Sequence, residues 1–118
     1  MTGMDETSAG PGAVRLVHDD DRDRYEALED TETVGVLYYG DEAPESGTGT
    51  VRDLRSTVVA PERSGRGIGS ALVRFALDDA RGRGYRVRAT CWFARGILSG
   101  PEYADLREES ADDEGGRA

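Results

Sequence analysis

The chain has 118 residues, a net charge of −9 at pH 7 and a pI near 4.6. That length fits one domain, and the negative balance argues against nucleic acid or an anionic membrane as a main partner, because both recognise clustered positive charge. A single cysteine, Cys91, excludes an internal disulfide and fits a reducing compartment.

Charged residues make up 33% of the chain and hydrophobic residues 36%. Lysine is absent, and all 15 cations are arginine. This points to a salt-adapted or GC-rich source, with genomic drift in composition as the equal alternative. Met1 to Gly12 has neither a basic start nor an apolar run, so it does not read as a secretory signal. No stretch approaches the ~18 apolar residues of a spanning helix, and a cytoplasmic protein is the expectation.

Residues 1–12 are small, polar and glycine-rich, and 108–118 are nearly all charge and glycine. Both are expected to be disordered, leaving a folded domain over 13–107. Val14 to Val17 reads as a short strand, closed by acids from Asp19. Arg24 to Glu29 alternates polar and apolar, and Val34 to Tyr39 follows as a more buried β-rich run. Gly40 to Gly49 reads as a loop and Thr50 to Val59 as a longer strand, which Pro61 stops.

From Ala71 to Arg83 the period is helical, with Leu72, Phe75 and Ala76 on one face. Asp79 and Arg83 suit a surface i,i+4 pair, and Gly82 and Gly84 end the helix. Tyr85 to Cys91 alternates strictly, as a strand does. Trp92 to Arg107 reads as one or two short helices, the last opened by Pro101. The expected fold is α/β (α+β): a mostly antiparallel sheet of about five strands, one major helix on it and a short helical end.

The most informative passage is Thr57 to Ser70, a strand, a glycine-rich turn and a helix start. Unpaired N–H groups at a helix N-terminus carry partial positive charge, and glycines before it let a phosphate come close. The turn also holds Arg63 and Arg66 in an otherwise acidic chain, so a diphosphate is the natural guest. A nucleotide P-loop is excluded because it needs a lysine. The dinucleotide fingerprint is excluded because Ser70 stands where its last glycine belongs. A glycine-rich helix cap without a ligand is the plainer alternative.

Val58-x-x-Pro61-Glu62-x-x-Gly65-Arg66-Gly67-Ile68-Gly69-Ser70 resembles the pyrophosphate signature of the GNAT N-acetyltransferases. Arg24-Tyr25-Glu26, Tyr38-Tyr39, Asp53-Leu54, Cys91-x-Phe93 and Pro101-Glu102-Tyr103 extend the similarity over Val14 to Arg107. Together they resemble the short, single-domain subfamily with a cysteine on its last strand. The resemblance implies a GNAT-like fold and acetyl-CoA as cofactor. It implies that backbone N–H groups from Gly65 through Arg66, Gly67, Ile68 and Gly69 to Ser70 hold the diphosphate, that Arg66 adds charge there with Arg63 standing in beside Ser64, and that the backbone of Val58 and Val59 pairs with the pantetheine arm. The chain departs from the pattern at Ser64, usually Gln or Arg, and at Ser56, usually His. It also lacks an aromatic and a histidine over Gly96 to Gly100.

Two residues are candidates for chemistry. Cys91 offers a thiolate that can accept an acetyl group and pass it on; as a small hydrophobe it instead lines the core. Tyr103 offers a proton to the departing thiolate, or packs the last helix on the sheet. His18, the only histidine, reads as a solvated strand end, the acids from Asp19 to Asp23 as a solvated surface, and Trp92 as core or cleft wall. No metal site is expected. The leading function is acetyl transfer to an amine of a small molecule or protein, by a monomer or homodimer. The alternatives are a non-catalytic acyl-CoA-binding module and an interaction protein whose glycine turn is only a cap.

Overall fold

The structure is a computed structural model that describes residues 7–9, 14–44 and 47–108. The strands are β1 (Thr7–Ala9), β2 (Val14–Asp19), β3 (Arg24–Glu29), β4 (Glu32–Glu42), β5 (Val51–Val59) and β6 (Arg86–Ala89). The helices are α1 (Ile68–Arg83) and α2 (Trp92–Leu98), with single 3₁₀ turns at Pro61–Arg63 and Pro101–Tyr103.

The six strands form one sheet in sequence order, antiparallel from β1 to β5, with β6 parallel to β5. Parallel neighbours need a crossover, and α1 supplies it. The expected α/β class with one major helix on the sheet is therefore what is seen. The sheet gains a sixth strand at Thr7–Ala9, inside the segment expected to be disordered, through pairing with β2. The rest of 1–12, and 109–118, lie outside the described residues.

Two tight connections explain part of the acidic composition. Asp23 and Asp30 hold positive φ, 54° and 55°, in the turns before β3 and β4, a conformation that Asp tolerates better than most side chains. β4 runs two residues past Gly40 into the expected loop, because Asp41 and Glu42 pair with Arg52 and Val51.

Alternation assigns the sheet faces. A Cβ on Gly35 would meet Ile68 and Leu72 of α1 at 3.1 Å, so Gly35 and Leu37 face the helix while Val36 and Tyr38 face away. Their cross-strand partners follow: Thr57 and Val59 share the helix face, Ser56 and Val58 the other. Leu72, Val73, Ala76, Leu77 and Ala80 bury the inner side of α1 against that face. Each large apolar side chain so buried contributes roughly 1.5–3 kcal/mol.

Several polar expectations are corrected by tertiary pairing. His18 is only 1% exposed, since pairing of β2 with β3 stacks its ring on Tyr25 at 4.4 Å. Asp79 is not a surface partner of Arg83 alone: its side chain is only 5% exposed, and it also accepts from the Tyr25 hydroxyl at 2.7 Å and from Arg52 at 3.3 Å. Trp92 is neither core nor wall; it is 80% exposed.

Candidate coenzyme cleft

The site begins where two parallel strands part. β5 and β6 pair from Val51 opposite Arg86 to Leu54 opposite Ala89. There the Leu54 carbonyl accepts both Thr90 N–H and Cys91 N–H, each at 3.0 Å, and the ladder ends. Cys91 becomes the N-cap of α2 and the chain turns away. On its other edge β5 carries one extra residue, Arg55, since Tyr39 pairs with Leu54 but Tyr38 with Ser56. Such a bulge bends a strand. Ser56 to Val59 therefore stay paired to β4 while their opposite edge is open.

The open space is a cleft of about 330 Å³. Thr57 and Val59 form one wall and Phe93 of α2 another, and the turn from Arg63 to Ser70 closes the end. Gly65 and Gly67 both hold φ of 81°, which costs most side chains about 1–2 kcal/mol. Gly67 caps α1 without a side chain, and the first turn of α1 carries no acid, although the chain has 24. At Gly69 a Cβ would crowd the Phe93 ring at 3.2 Å and touch Val59 at 3.6 Å.

Electrostatics sharpen two positions. Arg63 lines the cleft and is tied to Glu29, which holds its guanidinium pKa up. Its Nε is buried with no hydrogen-bond partner among the described residues. Burial alone would raise the Cys91 thiol, but donation from the Ala94 backbone, the Thr57 hydroxyl at 3.7 Å and the Phe93 backbone holds it below the usual thiol range. Cys91 stands just past β6, not on it.

Of the residues expected to bind coenzyme, Val59, Arg63, Ser64, Gly65, Gly67, Ile68, Gly69 and Ser70 line the cleft. Val58 faces away and is 57% exposed. Arg66 is exposed on the turn and does not line it. Tyr103 is buried in the core beneath the Arg81 guanidinium, 5.7 Å from its ring centroid, and takes no part in the lining. Phe93 is the wall residue that sequence reasoning passed over; its place beside Cys91 in the family pattern was the available signal.

A strand, a glycine turn at positive φ, an uncapped helix start and a split between parallel strands occur here together. The family model described as GCN5-related N-acetyl-transferase matches residues 24–106. The chain belongs to the GCN5-related N-acetyltransferase family. Among solved structures, it is similar to a ribosomal-protein-alanine N-acetyltransferase from Brucella melitensis biovar Abortus 2308, with 19% identity and a TM-score of 0.55. That match covers 74% of this chain and 62% of the other. It is also similar to an aminoglycoside acetyltransferase from an uncultured soil metagenomic sample in complex with sisomicin, at 14% identity and TM-score 0.54, covering 74% of this chain and 59% of that one. The chain thus spans about three-fifths of each, and at these identities the likeness is one of fold. No curated protein matches the chain.

Within the GCN5-related N-acetyltransferase family acetyl-CoA is the general acyl donor, and the residues present fit it. The Gly65–Ser70 turn offers backbone N–H groups, Arg63 offers an orphaned buried donor, and Val59 and Phe93 give an apolar corridor for a narrow arm. Among the described residues no cluster of metal-ligating side chains occurs, and no helix is long and apolar enough to cross a membrane.

Proposed function

We propose that this chain binds acetyl-CoA in the cleft and transfers the acetyl group to an amine. The supporting observation is the parting of β5 from β6 beyond Leu54 and Ala89, directly onto an uncapped α1 start free of acids. The backbone from Gly65 to Ser70 holds the diphosphate, as anions are held at helix starts. Val58 and Val59 keep their inner edge bonded to β4 and offer the other to the pantetheine amides. Bound acetyl-CoA supplies an activated thioester; the protein's part is to hold carbonyl and amine in line and to polarise the carbonyl with backbone N–H groups.

The acceptor is an amine on a small molecule or a protein, the two kinds named for the similar structures. A cytoplasmic location, and a monomer or a homodimer that completes the acceptor wall, belong to the same proposal, as do a coenzyme domain over 13–107 and an acidic surface suited to salt.

A second reading, a non-catalytic acyl-CoA-binding module, is favoured by one observation. The cleft lining contains no His, Asp, Glu, Tyr or Cys among the described residues, so no lining side chain is suited to exchange a proton near neutral pH. Amine-dependent release of free thiol from acetyl-CoA, across a panel of polyamines, aminoglycosides and peptides, decides between the two. Turnover with any amine supports the enzyme. Micromolar binding without turnover, with Cys91→Ala binding as wild type, supports the module.

A further inference from the structure

Resting on the coenzyme reading above, we propose that Asp53 is the positioning residue that sets how far the cleft opens. Two local features part the strands: the extra residue Arg55 on β5, and the turn of the chain at Thr90 and Cys91 after β6. One carboxylate touches both. Asp53 Oδ1 accepts the Thr90 backbone N–H at 3.0 Å, and both of its oxygens lie 3.0 Å from the Thr90 hydroxyl. Its Oδ2 accepts Arg55 Nε at 3.4 Å and lies 3.7 Å from the Arg88 guanidinium.

Asp53 is 4% exposed, a costly place for a carboxylate unless it is paired and hydrogen-bonded. Its neighbour Arg52 reaches Asp79 on α1, so by alternation Asp53 points to the opposite face, behind the cleft. It acts through others: it fixes Thr90, hence Cys91 and the start of α2, hence Phe93 against Gly69 and Val59. A ladder that continued past Leu54 would close the edge of β5 that the pantetheine amides need.

The test uses the only tryptophan, Trp92, which opens α2 two residues after Thr90. Its indole N–H resonance in ¹⁵N-labelled protein reports the start of α2 without any ligand, and calorimetry reports acetyl-CoA affinity. Asp53→Ala is expected to shift the Trp92 signal in a folded protein and to weaken acetyl-CoA about tenfold or more, the scale of a binding group misplaced by under 1 Å. Asp53→Asn keeps an oxygen for Thr90 N–H and is expected to restore the Trp92 signal and most of the affinity. An unchanged Trp92 resonance and unchanged affinity in a folded Asp53→Ala overturn the proposal, as does a loss that Asp53→Asn fails to rescue. Should Asp53→Ala not fold, Thr90→Val, which removes only the hydroxyl partner, must move the Trp92 signal, and an unmoved signal overturns the proposal. If wild type itself ignores acetyl-CoA, the coenzyme reading falls, and the Trp92 resonance alone still decides the role of Asp53.

Discussion

Replacing Ser70 with glutamate separates helix stability from coenzyme binding, because the two respond with opposite signs. Ser70 is the third residue of α1, whose first turn has no acid and whose cap, Gly67, bonds through no side chain. A carboxylate there meets the open N–H groups and the helix dipole, a gain of about 0.3–1 kcal/mol, with a few tenths more from propensity. At about 4–8 °C per kcal/mol for a domain near this size, Tm should rise by roughly 2–10 °C. The same carboxylate occupies the place proposed for a diphosphate. Like charges about 4 Å apart cost roughly 1 kcal/mol in water and roughly 4 kcal/mol near a protein surface. Acetyl-CoA affinity should therefore fall roughly five- to thousand-fold. Differential scanning fluorimetry and calorimetry on the same sample read both quantities. A raised Tm with affinity unchanged would place the diphosphate elsewhere. A Tm lowered by several degrees would mean the helix start is not open to an anion, and would refute the geometry itself.

Three further predictions concern groups outside the glycine turn. His18 has its pKa lowered first by burial and then by Arg52 and Arg83, against the pull of Asp79 and Asp20. The folded protein thus binds that proton less readily than the unfolded chain, so stability is fully present above pH 6.5 and is lost as the pH falls below it. His18 is the only histidine; Tm measured from pH 8 to 5.5 should decline in wild type and stay flatter in His18→Gln, and equal slopes would contradict this. Arg52 bonds Asp41 through both Nε and Nη2 at 2.7 and 2.8 Å and reaches Asp79 at 3.3 Å. Arg52→Leu removes charged hydrogen bonds while Asp79 keeps Tyr25 and Arg83, so it should cost about 1.5–3 kcal/mol, read by urea unfolding; a loss under about 1 kcal/mol, the scale of an exposed pair, would show the cluster to be solvent-screened. Cys91, with its thiol held below the usual range, should be alkylated by iodoacetamide with a midpoint below the ordinary ~8.5, and Thr57→Val should move that midpoint up.

What was legible in the sequence was what short-range rules control. The helical period from Leu72 to Leu77 and the paired glycines 65 and 67 fixed a turn and a helix start, because positive φ and a 3.6 period are local properties. Proline at 61 marked the end of β5 for the same reason. The polar cluster was not legible: His18, Tyr25, Arg52 and Asp79 come from three strands and a helix, and only strand register brings them together. Nor was the true end of β6. The alternation runs on through Cys91, but the Leu54 carbonyl takes two N–H groups in succession and breaks the ladder at Ala89. Tyr103 stayed open between proton donor and core packing because a family pattern conveys spacing, whereas burial under Arg81 depends on how the last turn docks.

The most direct test of the central claim is an amide chemical-shift titration of ¹⁵N-labelled protein with acetyl-CoA, at low and at molar KCl. The account predicts saturable shifts concentrated on Thr57 to Val59 and Gly65 to Ser70, with Phe93 following. No shifts in a folded protein at either salt, or shifts centred away from the cleft, would contradict it.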